Sequence, residues 1–225
     1  MRTTLSFEYG HRDSLPEGHR DEVRTCDVLV EHFVEELTDP GDRVLDIFAG
    51  YGTTLLAAER LGRTPYGIEF EDDRTAYVRD RLADDNAENV RHGDVLEMEA
   101  AWFTACDLCF TSPPFMAESH TENPFENYAG ESSYPNYLDD VERAFRNLDR
   151  VLAPDGHVVV DVSNLKNEGE VTTLAWDVAE RIREVFQFEG ETVVCWTDDE
   201  AHTRDGDFGY GYDHSYALHF TKRSD

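Results

Sequence analysis

Arg43-Val44-Leu45-Asp46-Ile47-Phe48-Ala49-Gly50-Tyr51-Gly52-Thr53-Thr54 runs from an apolar segment, through two glycines, into a helix-forming segment that Gly62 closes. The apolar part, Arg43 to Phe48, reads as a short buried strand. Gly50 and Gly52 can adopt backbone angles closed to other residues and let a ligand approach the main chain. The helix from Thr54 to Leu61 would turn free N–H groups and the positive end of its dipole toward an anion. The spacing is not the dinucleotide G-x-G-x-x-G pattern, and taken alone a tight strand-to-helix turn explains it equally well.

Outward from this stretch, strands and helices alternate. Pro65 to Glu69 is the next strand and Asp72 to Leu82 the next helix. Strands follow at Asn89 to His92, Asp107 to Thr111 and His157 to Val162, with helices at Tyr137 to Leu152 and Val171 to Phe186. Asp21 to Leu37 has helical apolar spacing before the first strand, and residues 1–20 read as an irregular arm. Such alternation predicts an α/β fold, a largely parallel sheet covered on both faces. Thr192 to Trp196 and Ser215 to Thr221 have no helix between them, which predicts an antiparallel pair at one edge. One domain over 21–225 accounts for the pattern, with no separate second domain.

In such a sheet ligands bind beyond the carboxyl ends of the strands. Glu69 ends the second strand, where a carboxylate can accept both hydroxyls of a ribose. Asp94 ends the third, where it can accept from an adenine amino group while Val95 packs on the ring. Each is weak singly; three such positions on consecutive strands are stronger. Thr111-Ser112-Pro113-Pro114-Phe115 ends the fourth. Its prolines lack N–H groups and hold Ser112 and Pro113 extended, giving a stiff loop whose carbonyls have no internal partner. The Ser112 hydroxyl and Pro113 carbonyl can then face an incoming amine, with Phe115 supplying a ring face. Alone, a plain strand stop explains the loop at least as well.

Composition sets limits. Of 225 residues 40% are hydrophobic, enough for a normal core. There is no bilayer-length apolar run and no signal-peptide core, so a soluble, cytoplasmic protein is expected. Asp plus Glu total 49 against 20 Lys plus Arg, a net charge of −29, and Lys166 and Lys222 are the only lysines. Dispersed carboxylates with so little lysine suit a surface built for molar salt, where self-repulsion is screened. Cys106 and Cys109 have C-x-x-C spacing, but within a strand their side chains should point to opposite faces. No second pair completes a zinc site, so buried thiols and no metal are expected. His120, His202 and His214 read as surface residues.

Val44 to Arg63, with Gly67-Ile68-Glu69, closely resembles the S-adenosylmethionine motif of DNA amino-methyltransferases. Thr111-Ser112-Pro113-Pro114-Phe115 resembles that family's catalytic tetrapeptide, particularly in cytosine-N4 members. Asp21 to Leu37 resembles the segment that closes over the cofactor's methionine end. The resemblance covers roughly Arg20 to Lys222. It implies a Rossmann-like class I methyltransferase fold: a mostly parallel seven-stranded sheet with an antiparallel edge hairpin and helices on both faces. It implies S-adenosyl-L-methionine as cofactor, held by Asp46, Phe48, Ala49, Gly50, Gly52, Thr53, Thr54, Glu69, Phe70, Asp94, Val95 and Thr111. Ser112, Pro113, Pro114 and Phe115 are the implied catalytic group. Bonds from the amine to Ser112 and the Pro113 carbonyl would localise the nitrogen lone pair, and positive charge on the base could sit over Phe115, worth ~1–2 kcal/mol when desolvated.

The implied reaction is methylation of an exocyclic amine in DNA, cytosine N4 ahead of adenine N6. RNA methylation at tRNA guanine N2 is the alternative, as is an inactive cofactor-binding partner subunit. Protein-glutamine methyltransferases are similar but usually have Asn before the two prolines. The partner expected is nucleic acid, DNA ahead of RNA, with no membrane; a recognition subunit or a homodimer stays open. The loop Met116 to Asn136 carries Glu118, Glu122, Glu126 and Glu131 and no Lys or Arg; Thr197 to His214 has only Arg204. Phosphate contacts would have to come from Arg2, Arg12, Arg20 and Arg24, or give way to stacking. Tyr128, Tyr134, Phe125, Phe208, Tyr210 and Tyr212 could stack, or could pack the loops down.

Overall fold

Val44 and Leu45, Leu108 and Cys109, Val159 and Val160 are neighbours in sequence that fall into opposite hydrophobic clusters. Continuous apolar strands of this kind are what a sheet covered on both faces needs, because successive side chains point to opposite sides. The structure, a computed structural model, describes residues 2–19, 23–126, 128, 130–167, 169–197 and 213–223.

The elements are β1 (Thr4–Phe7), α1 (Asp27–Leu37), β2 (Arg43–Asp46), α2 (Thr53–Arg60), β3 (Thr64–Glu69), α3 (Asp72–Arg79), α4 (Asp84–Ala87) and β4 (Val90–His92). Then come β5 (Cys106–Thr111), α5 (Tyr134–Asp149), β6 (Leu152–Val162), β7 (Leu165–Asn167), β8 (Glu170–Thr172), α6 (Leu174–Ile182), β9 (Gln187–Trp196) and β10 (His214–Thr221). The main sheet has 8 strands in the order β1-β9-β10-β6-β5-β2-β3-β4, and β7 and β8 form a separate 2-stranded hairpin. From β4 to β6 all pairing is parallel; β10 runs antiparallel to both β6 and β9. One face is packed by α5 and α6, through residues such as Tyr137, Phe145 and Ile182. The other is packed by α1 and α2, through Leu29, Phe33 and Ala57.

Three expectations change. The arm is not wholly irregular: Thr4–Phe7 pairs parallel with Val193 to Trp196. Consequently β9 is flanked on both sides and the antiparallel pair does not form the rim, which is β1, a short edge strand of the kind that limits pairing with other chains. Cys106 and Cys109 do not point apart. Both pack into the same cluster, because pairing with β6 shifts register between Cys106 and Leu108. Burial pushes the Cys106 thiol up to about 12 and raises Cys109 as well, so neither is a reactive thiolate.

Helix boundaries shift for local reasons. Ser133 caps α5 by accepting from the Asn136 N–H at 3.3 Å, so the helix starts at Tyr134. Val171 is in β8, and α6 begins at Leu174. The arm is tied to α1. Arg12 makes two 2.8 Å bonds to Glu31, and Asp27 accepts from the Arg12 N–H and from Arg60. Burial raises the Asp27 pKa, but hydrogen bonds from His11, Arg12 and Arg60 override it and hold the carboxyl at about 2. No helix among the described residues is long and apolar enough to cross a membrane.

Candidate active site

A cleft of ≈ 400 Å³ opens along the carboxyl ends of the parallel strands. Asp46, Phe48, Ala49, Gly50, Thr53 and Thr54 form its centre, at the end of β2 and the start of α2. Glu69 and Phe70 follow β3, and Asp94 and Val95 follow β4. Ser112, Pro113, Pro114 and Phe115 border it beyond β5. Sequence positions far apart thus converge because each ends a neighbouring strand.

Two residues expected at the cofactor stand behind this wall. Gly52, at φ 80°, caps α2 in the left-handed region; a Cβ there would lie 2.8 Å from Val78 Cγ1. Thr111 is fully buried and donates to Asp46 Oδ1 at 2.6 Å, bracing β5 against β2. Asp46 also accepts from the Phe48 N–H at 3.0 Å. Burial pushes its pKa up to about 6 despite these bonds and one from Thr54. Glu69 is buried too, and burial raises its pKa. Its Oε2 accepts from the Gly50 N–H at 2.6 Å and its Oε1 from Glu71 N–H at 2.9 Å, so the carboxylate pins the glycine loop. Each oxygen keeps a second lone pair. Asp94 Oδ1 accepts from the Leu96 N–H at 2.8 Å, leaving Oδ2 uncommitted to that turn.

The proline corner is held from beneath. Tyr137 is fully buried on α5 and its hydroxyl donates to the Pro114 carbonyl at 3.0 Å, so that carbonyl, unlike the expectation, has an internal partner. Among the described residues none bonds the Ser112 hydroxyl or the Pro113 carbonyl, and Ser112 is half-buried at the cleft. Phe125 packs edge-on to Phe48, with ring centroids 5.7 Å apart, and against Tyr137 at 5.8 Å. Tyr134 stacks on Tyr137 and donates to Asp177 at 2.9 Å. Those two aromatics therefore pack the loop down, whereas Tyr128 is 59% exposed and borders the cleft. Phe208, Tyr210, Tyr212, Arg20, Arg204 and His202 lie outside the described residues. Arg12 is committed to Glu31, while Arg24 reaches the cleft wall and donates to the Asp13 carbonyl.

Sequence reasoning missed much of the far wall: Thr25, Asp161, Trp196 and Ser215 border the cleft, beside Arg24 and His214, which it singled out for other roles. His214 is half-buried there, with Nε2 3.2 Å from the Tyr216 hydroxyl, and is not a plain surface residue. Asp161 carries the same signal as Asp46 and Glu69, an acid ending an apolar strand. Thr25 and Ser215 carry none, because β10's register and the docked arm bring them in. Among the described residues no group of three or more His, Cys, Asp or Glu is arranged to hold a metal ion.

Comparison with known proteins bears on family and fold. The DNA methylase family of N6/N4 methyltransferases matches residues 26–79 and 106–225, well over half the chain. The Type II methyltransferase M2.DpnII of Streptococcus pneumoniae is 41% identical over 61 residues, which is 27% of this chain and 23% of that protein. The match thus spans about a quarter of that relative's length. Among solved structures, TrmN from Thermus thermophilus superposes with TM-score 0.62 at 18% identity, over 90% of this chain and 50% of that one. A TehB-like SAM-dependent methyltransferase from Corynebacterium glutamicum gives 0.56 at 16% identity, over 86% and 87%. These structures share the class I methyltransferase fold expected from the sequence. The chain belongs to the DNA methylase family of N6/N4 amino-methyltransferases, whose methyl donor is S-adenosyl-L-methionine.

Proposed function

We propose that the protein methylates an exocyclic amino group of a DNA base, cytosine N4 ahead of adenine N6. The single observation that carries the reading is the Ser112–Phe115 corner: stiffened by two prolines, anchored through Tyr137, and open at the Ser112 hydroxyl and Pro113 carbonyl toward the cleft. The cleft fits the donor. Glu69 keeps acceptor capacity for a ribose, Asp94 for an adenine amino group, and Val95 and Phe70 offer apolar contact; the α2 N-terminus suits a carboxylate. When bound, the donor would supply a sulfonium methyl to the amine nitrogen, sulfur keeping the electrons of the broken carbon–sulfur bond and the nitrogen releasing one N–H proton to solvent.

The chain's own residues prepare the nucleophile. An exocyclic amine conjugated to its ring is a poor nucleophile. Accepting its N–H groups at Ser112 Oγ and at the Pro113 carbonyl favours a pyramidal nitrogen with a localised lone pair. Phe115 faces the base as positive charge develops. To reach the corner the base must leave the stack.

The surface, at −29, suits concentrated salt, in which phosphate contacts weaken and stacking carries more of the binding. Exposed Tyr128 at the cleft mouth serves that role, and target selection falls to the loops or to a recognition partner. The test is Ser112→Ala with DNA in high salt. Turnover should fall by about 10²-fold or more, the scale seen when one positioned hydrogen-bonding group is removed. Cofactor affinity by calorimetry should stay within about twofold. Equal turnover removes Ser112 from the reaction.

A further inference from the structure

A run of aromatic rings that the chemistry above does not use leads away from the cleft. Phe115 of the corner and Tyr216 of β10 both pack against the cluster under α5 and α6, on the face opposite α1. His214 and Tyr216 are two residues apart on β10 and so share that face. Their rings meet edge-on with centroids 5.3 Å apart. Tyr216 in turn lies against Trp176, in the first turn of α6, at 4.9 Å and 56°. His214 borders the cleft, Tyr216 is half-buried and Trp176 is 43% exposed. The rings thus run from the cleft to the surface, on the side of the sheet that holds the corner.

The β7–β8 hairpin leads into α6, with Thr173 alone between them. Leu165 and Thr172 are paired and turn inward. Leu165 borders the cleft, and the Thr172 hydroxyl accepts from the Glu118 N–H at 2.9 Å, which ties the hairpin to the chain leaving the corner. Lys166 and Val171, the next pair, face outward, and both are exposed. Glu170, paired with Asn167, alternates to the other face. Lys166 makes no ion pair or hydrogen bond among the described residues. The other lysine of the chain, Lys222, donates to the Asp149 and Leu152 carbonyls. On a surface that otherwise leaves cations to arginine, an uncommitted ammonium thus stands on the hairpin tied to the corner.

We propose that His214, Tyr216, Trp176 and Lys166 form a track for the unpaired DNA strand next to the target base, with Trp176 as its stacking platform. The inference rests on the reading of DNA as substrate. A strand opened to release one base offers its neighbours' faces to the rings and a phosphate to the ammonium. Stacking persists in salt that weakens phosphate contacts, which suits a track of several rings and one cation. A protein partner fits less well. Of the large apolar side chains exposed among the described residues, only Val171 and Trp176 belong to this segment, too few for the apolar centre of a protein interface.

The experiment measures binding of a fluorescein-labelled single-stranded oligodeoxynucleotide to the full chain in molar KCl with S-adenosylhomocysteine present. Anisotropy gives the affinity, and the unlabelled strand's quenching of tryptophan emission reports stacking. Trp176→Ala should weaken the strand about tenfold while S-adenosylhomocysteine binds as in wild type. Trp176→Tyr keeps a ring, so it should bind the strand within about threefold yet lose most of the quenching. It tests the platform independently should Trp176→Ala fail to fold. Lys166→Gln should lower the slope of log affinity against log salt by about 0.7, the share of one phosphate contact on a single strand. Full strand affinity in Trp176→Ala, or full quenching in Trp176→Tyr, overturns the track, and an unchanged slope overturns the part given to Lys166. A loss seen with an RNA of the same sequence but not with DNA, or a change in self-association alone, also overturns it. Wild type that methylates DNA no better than Trp176→Ala does overturns the track and leaves the substrate reading standing. Wild type that binds S-adenosylhomocysteine but no DNA overturns both.

Discussion

Gly52 shows how one residue governs the site. Its φ of 80° is strained for any side chain, and a Cβ would press on Val78 Cγ1 at 2.8 Å and Cγ2 at 2.9 Å. Gly52→Ala should cost roughly 1–3 kcal/mol of stability. It should also weaken cofactor binding, because the loop that Glu69 pins through Gly50 would shift. Chemical denaturation and calorimetry on the variant check both; a neutral result would remove the backbone argument. Gly50, Gly52, Glu69 and Asp94 were legible in the sequence because a glycine or an acid at a strand end is a local signal. Thr111 was legible only by position. Its work, donating to Asp46, depends on β2 and β5 lying side by side. Asp161 was legible in principle, Thr25 and Ser215 were not, since their meeting depends on the docked arm and the β6–β10 register.

At the scale of elements, alternation of strand and helix predicted the parallel strands from β2 to β6, though not their order in the sheet. The β1 strand escaped, because Thr4-Leu5-Ser6-Phe7 is short and its partners, Val193 to Trp196, lie near the other end of the chain. The β6–β10 pairing also creates a feature invisible in sequence. His157 and His219 meet with ring nitrogens 3.1 Å apart. Burial first, and then the charge of His157, lower the His219 pKa to about 4 against the opposing pull of Glu189 and Glu36. The unfolded chain then binds more protons between the ordinary 6.5 and the folded value near 4. Stability is therefore full above about 6.5 and is lost as pH falls through that window. His219→Gln lacks this loss, so wild type should lose ground to the variant in thermal midpoint as pH falls from 7 toward 4.5. A gap that does not change with pH would contradict the assignment.

For the molecule as a whole, charge decides more than topology does. At −29 the folded chain repels itself, and salt screens that repulsion with a Debye length of ~3 Å near 1 M. The unfolding midpoint should rise steadily with KCl from dilute buffer to molar concentrations; a midpoint independent of salt would show that the acidic surface has no such role. The same charge bears on the substrate. A polyanion must approach an acidic protein, which is tolerable where screening is strong and binding rests on stacking and on the extruded base. The central claim is that the strand-end cleft delivers a methyl group to a base amine in DNA. The most direct measurement supplies methyl-labelled S-adenosyl-L-methionine with DNA, and separately with total tRNA, in molar KCl, then identifies the labelled nucleoside after digestion. The account predicts label in 4-methylcytosine, or failing that in 6-methyladenine, from the DNA. Label confined to a tRNA guanine, or absent from both while the cofactor still binds, would contradict it.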